Sequence, residues 1–160
     1  MTPAADGRRE GIPEPPAEGF FSRFGMTQAM TYLWIAIGSA LGGVARYWCS
    51  GIVARMIGET FPWGTLVVNV AGSFIIGFFA TLTGPDGRVF ASSATRLFVM
   101  FGFCGGFTTF SSFSIQTLSL VQDGDWLRAG GNIVGSVVLC LLAVWAGYVA
   151  AVAINMMKWI

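Results

Sequence analysis

Four long stretches of this chain contain no Asp, Glu, Lys or Arg: 24–45, 60–85, 97–122 and 129–157, of 22, 26, 26 and 29 residues. A bilayer core about 30 Å thick is crossed by about 20 helical residues rising 1.5 Å each. Each stretch is therefore long enough to cross once and too short to cross twice. Backbone groups in lipid must pair inside a helix or around a closed barrel, and the alternating ten-residue segments of a barrel are missing. The pattern predicts an all-α membrane protein of four transmembrane helices, over about 27–57, 63–82, 92–121 and 126–155.

Composition points the same way and removes other classes. Only 11% of residues are charged and mean hydropathy is +0.68, against about 25% charged in a soluble domain. Nine basic and eight acidic residues provide no basic face for phosphates, so nucleic acid is not a partner. The chain has no histidine, which removes the commonest general base and transition-metal ligand, and no enzyme is predicted. Cys49, Cys104 and Cys140 lie far apart with no CxxC spacing, and they read as small apolar fillers.

Residues 1–26 differ in character. Pro3, Pro13, Pro15 and Pro16 alternate with Asp6, Arg8, Arg9, Glu10, Glu14 and Glu18, the composition of a disordered, retained tail without the order of a secretory signal. The four-helix domain is expected over 27–157. Gln122–Asp125 is short enough to force the third and fourth spans into an antiparallel hairpin, and an even number of crossings leaves both ends on one side. Basic residues divide almost evenly between the two sides once the distant Arg8 and Arg9 are set aside, which permits insertion in both orientations. The GxxxG pairs Gly38/Gly42, Gly102/Gly106 and Gly131/Gly135 predict closely approaching helices.

The third span carries the most unusual segment, 101–114, FGFCGGFTTFSSFS. Adjacent glycines lower helix stability by about 1 kcal/mol each, and the Thr and Ser hydroxyls compete for the backbone, so a break is predicted near Gly105 to Thr109, at the centre of the span. Such backbone survives at membrane depth only where it is buried or lines a cavity. Its free carbonyls suit a desolvated Na⁺, and its free N–H groups suit an anion.

Phe110 and Phe113 follow at i, i+3, beside Thr109 and Ser112. They are either packing residues or, through the positive edges of their rings, anion ligands. Asn69 in the second span is either glue between helices or a donor to an ion. Asn132, Ser136 and Cys140 form a stripe at i, i+4, i+8 on the fourth, a seam or a track. No carboxylate enters any span, so a proton-coupled or cation-selective path lacks its usual ligand. Neutral donors, ring edges and Arg46 favour an anion.

Three runs, Gly42–Tyr47, Gly64–Phe74 and Gly102–Ser114, resemble the CrcB/Fluc family of bacterial fluoride channels, and the likeness extends over about Tyr32 to Asn155. The resemblance implies a multi-pass protein of the bacterial inner (plasma) membrane, a dual-topology homodimer of antiparallel subunits with two narrow pores. Fluoride would leave the cell passively down its electrochemical gradient, lowering its toxic level in the cytoplasm. It further implies a structural, non-transported Na⁺ held by the backbone carbonyls of Gly105 and Thr108 from each subunit. Fluoride would meet Asn69, Phe110 and Phe113, with Thr109 and Ser112 beside them and Asn132 and Ser136 on the fourth-helix track. Arg46 matches the family's arginine near the end of the first helix. The family often has a tyrosine where this chain has Asn132. The competing class is a small four-helix, multidrug-type, proton-coupled exporter, which requires the intramembrane carboxylate that this chain lacks.

Overall fold

The computed structural model describes the backbone of residues 17–157 and the side chains of residues 28–157. Six α-helices follow in order: α1 Ala17–Ile57, α2 Trp63–Leu82, α3 Ser93–Arg96, α4 Gly105–Phe107, α5 Phe110–Gln122 and α6 Trp126–Met156. A π-helical run, Leu97–Cys104, joins α3 to α4. Among the described residues there is no strand. Among the described residues three helical stretches are long and apolar enough to cross a membrane: Trp63–Leu82, Ser93–Gln122 and Trp126–Met156.

The predicted second span coincides with α2, and the third and fourth differ from the observed stretches by a residue at each shifted end. The first differs more. Helix α1 starts at Ala17, directly after Pro16, and not near Thr27. Between them lie glycines at 19 and 25 but no proline, and glycine weakens a helix without forbidding it. Residues 1–16 of the expected tail lie outside the described residues.

Local chemistry sets the helix ends. Gly58 closes α1 with φ +97°, a left-handed conformation that glycine adopts without strain. Ser92 caps α3 by accepting from the Thr95 N–H at 3.1 Å. Asp125 caps α6 by accepting from the Arg128 N–H at 3.2 Å and pairs with the Arg128 guanidinium at 3.0 Å. On the opposite end of the bundle, Arg96 donates to both the carbonyl and the hydroxyl of Thr83, tying α3 to the end of α2.

Two glycine-lined seams bring the helices together. In the first, Gly38 and Gly42 of α1 face Gly102 and Gly106: a Cβ on Gly38 would lie 2.6 Å from the Phe98 carbonyl oxygen and 2.9 Å from the Gly102 Cα. The first two GxxxG pairs are thus partners of each other. In the second, a Cβ on Gly77 of α2 would meet the Val144 side chain of α6 at 2.9 Å, and one on Gly147 would lie 2.8 Å from the Phe78 nitrogen. The third pair, Gly131/Gly135, faces open space within the chain. Close backbone approach replaces the hydrophobic effect as the packing force between helices in lipid. The buried core is correspondingly small, with Val68, Cys104, Ala129 and Ala151 at its centre, while Val134, Leu141 and Trp145 point outward.

Candidate functional site

The third span is interrupted at two residues. Thr108 (φ −79°, ψ 156°) and Thr109 (φ −152°, ψ 115°) are extended, between the end of α4 and the start of α5. Gly105 and Gly106, where the sequence also placed the break, keep helical geometry. Both threonines are held by their hydroxyls. The Thr108 hydroxyl donates to the Cys104 carbonyl at 2.9 Å. The Thr109 hydroxyl accepts from the Ser112 N–H at 3.1 Å and so caps α5, the task for which threonine is favoured at a helix start.

Helix α2 holds this segment from the side. Asn69 accepts from the Thr109 N–H through Oδ1 at 2.7 Å and donates through Nδ2 to the Thr109 carbonyl at 3.0 Å. One turn further along, Gly72 presents no side chain, and the Thr108 methyl occupies the space a Cβ would need. A larger residue at either position of α2 would push the extended pair away.

Two cavities meet at the interruption. One, of about 450 Å³, is lined by Asn69, Gly105, Thr108, Phe110, Phe113 and Ser136, among others. The other, of about 570 Å³, is lined by Arg46, Thr65, Ser112 and Gln116. Thr109 lines both. The rings of Phe110 and Phe113 lie 5.2 Å apart at 45°, and Phe110 is 77% exposed. Residues scattered over three spans in the sequence, Asn69, Phe110, Phe113 and Ser136, thus share one cavity wall, while Arg46 and Ser112 share the other.

Asn132 stands apart from both cavities. It is 2% exposed, donates to the Thr117 hydroxyl at 2.8 Å, and accepts from Ser136 at 3.4 Å. Thr117 in turn donates to the Phe113 carbonyl at 2.7 Å. The amide therefore lies in the seam between α5 and α6, one hydrogen bond behind the cavity-lining Ser136.

Gln116 was not singled out from the sequence. It lines the Arg46 cavity, the outer of the two because it reaches Gly58–Pro62 between α1 and α2, and its buried Oε1 has no hydrogen-bond partner. The signal was present in the spacing: Thr109, Ser112 and Gln116 recur at helical intervals along one face of α5. Among the described residues no group of three or more His, Cys, Asp or Glu could hold a metal ion.

An all-helical bundle with several apolar crossings and two cavities beside the extended Thr108–Thr109 pair defines a multi-pass membrane protein of the channel or carrier class. Comparison with known proteins narrows this. The family described as "CrcB-like protein, Camphor Resistance (CrcB)" matches residues 33–148. A protein of Opitutus terrae named "Fluoride-specific ion channel FluC" is 68% identical over 127 residues, covering 79% of this chain and 96% of its own length. Proteins of the same name from Methylocella silvestris and Paramagnetospirillum magneticum are 65% and 66% identical over 129 and 126 residues. They cover 81% and 79% of this chain, and 98% of each relative. The chain belongs to the CrcB family.

Proposed function

We propose that this chain is a fluoride-selective channel of the bacterial plasma membrane, giving passive export of fluoride and not an enzymatic or proton-coupled step. The observation that carries the reading is the cavity shared by Asn69, Phe110, Phe113 and Ser136, in spans without a single carboxylate. A small, strongly hydrated anion leaves water only if N–H, O–H and positive ring edges replace its shell. That cavity offers all three, and a carboxylate there would repel the ion. The names of the relatives support the same substrate.

In this reading Phe110 and Phe113 present ring edges, Asn69 contributes its second amide hydrogen, and Ser136 a hydroxyl. Thr109 and Ser112 lead into the outer cavity, where Arg46 raises the local anion concentration. Asn132 acts behind Ser136, whose single hydroxyl hydrogen leaves its long 3.4 Å bond to Asn132 when it turns to the anion.

The donor set of the interruption also fits a structural Na⁺. The Thr109 N–H that a continuous helix would send to the Gly105 carbonyl goes instead to Asn69, which leaves that carbonyl for another partner, together with the carbonyl of the extended Thr108. These are hard, neutral oxygens, suited to a hard monovalent cation. Two carbonyls are too few for one ion, so a second, antiparallel copy of the chain would supply the rest, in keeping with the near-even division of basic residues. The bound ion would neutralise carbonyl dipoles at the centre of the dimer; it would not travel.

The test is efflux from liposomes loaded with fluoride, read by a fluoride electrode after a potassium ionophore removes the opposing potential. Fast release of fluoride and not of chloride is expected. No release from a preparation that contains intact dimer and Na⁺ would overturn the proposal.

A further inference from the structure

We infer that Asn69 is a positioning residue that holds the third span open by standing in for a peptide group opposite Thr109. A carboxamide carries the same acceptor and donor as a peptide unit. Asn69 uses both on a single residue, at 2.7 Å to the Thr109 N–H and 3.0 Å from Nδ2 to the Thr109 carbonyl. This double exchange is the bonding of a hydrogen-bonded pair in an antiparallel sheet, reduced to one residue and one side chain.

The conformation required for it is specific. In an extended residue the N–H and C=O project from the same edge of the chain, whereas in a helix they point in opposite directions along the axis. Thr109, with φ −152° and ψ 115°, can satisfy both ends of Asn69; a helical Thr109 could satisfy one. The side chain therefore favours the open over the continuous helix at the residue shared by the two cavities. Gly72 completes the clamp on the same face of α2 by leaving room for the Thr108 methyl.

Helix continuity would give the Gly105 carbonyl its donor, so whatever holds Thr109 extended also determines whether that oxygen is free for a cation. This second step rests on the channel reading and its central Na⁺. The clamp itself does not.

Amide hydrogen exchange on the full chain reconstituted in lipid reads the clamp directly. In the unaltered protein the Thr109 amide should exchange more slowly than that of Ser111, in the first turn of α5, although Thr109 is not helical. The reverse order overturns the inference, whether or not any variant folds. In Asn69→Ala, exchange at Thr109 should accelerate by about tenfold or more, as expected when a hydrogen bond to a buried group is lost. Unchanged exchange there would leave Asn69 as a pore donor only and overturn the inference.

The Na⁺ concentration that half-maximally protects the dimer against heat should rise by about tenfold in the same variant, since 1.4 kcal/mol separates tenfold differences in affinity. Phe110→Ile, which alters the cavity and not the clamp, should change neither quantity. Accelerated exchange with an unaltered Na⁺ requirement would overturn the carbonyl step. Absence of fluoride efflux from the unaltered protein would refute the channel reading and leave the exchange pattern as it is.

Discussion

Gly42 and Gly43 are adjacent in the same helix and should respond oppositely to the same added methyl group. A Cβ on Gly42 would meet the Phe103 carbonyl oxygen and lie 2.8 Å from the Phe107 nitrogen and 3.1 Å from the Gly106 carbonyl carbon. All of these are main-chain atoms and cannot swing aside. On Gly43 the nearest neighbour is the flexible end of Arg46 at 4.0 Å. Bringing the Phe107 contact alone out to an ordinary 3.4 Å requires α1 to retreat by roughly 0.6 Å, and the tighter Phe103 contact requires more, along a seam of close-packed backbone where overpacking costs about 1–3 kcal/mol. Alanine also gains about 1 kcal/mol of helix propensity over glycine at each site, and this gain cancels when the two variants are compared. Gly42→Ala should therefore be less stable than Gly43→Ala by about 1–3 kcal/mol, a factor of roughly 5 to 150 in the unfolding equilibrium. Denaturant unfolding in mixed micelles, followed by tryptophan fluorescence, measures the difference. Phe107 immediately precedes the extended Thr108, so fluoride efflux should fall with Gly42→Ala as well. Equal stabilities would refute the account of the α1 seam.

Three further outcomes follow from the site. Phe110→Ile and Phe113→Ile should each abolish fluoride efflux while size-exclusion chromatography reports the same assembly as the unaltered protein, since both remove a ring edge without altering volume greatly; normal efflux would dismiss the aromatic ligands. Asn132→Ala should cost about 1 kcal/mol, the usual worth of an interhelical hydrogen bond in a bilayer, and slow efflux only partially because Asn132 acts behind Ser136; complete loss of efflux with unaltered stability would place the amide in the path itself. Gln116→Leu should stabilise the protein by about 1–3 kcal/mol, the penalty of a buried acceptor without a partner, and reduce efflux by removing a polar group from the outer cavity. A destabilised Gln116→Leu, seen as a lower melting temperature, would mean that Oε1 is satisfied in the membrane.

Charge-free windows placed α2 and α6 almost to the residue, because Pro62 and the Gly84–Pro85 turn bound one and Asp125 caps the other. The start of α1 was not legible: compositional bias at 1–26 says nothing of whether the residues just after Pro16 continue a helix. The interruption was readable as a region, since paired glycines and hydroxyls weaken a helix, but not as a position. Glycine lacks a side chain to hold a break, and the extended residues are the two threonines that α2 can grip. No pattern marks Asn69 as their partner, 40 residues away. Phe110, Phe113 and Ser136 were legible because helical spacing sorts them onto faces, whereas the separation of Asn132 from the cavities depends on which way α6 is turned against α5.

The π-helical run Leu97–Cys104 lends Met100 and Cys104 to the cavity wall, and it also sets the azimuth of the polar and aromatic groups beyond it. A wider turn spends more residues per revolution than an α-helix. Each residue of α-helix advances the chain by about 100°. The bearing of Thr108, Phe110 and Phe113 on Asn69 is thus a sum over the turns before them, and one residue more or fewer in that run would redirect all three together. Length between Arg96 and Thr108 is then a constraint of its own, beside the absence of side chains that Gly102 and Gly106 present to α1.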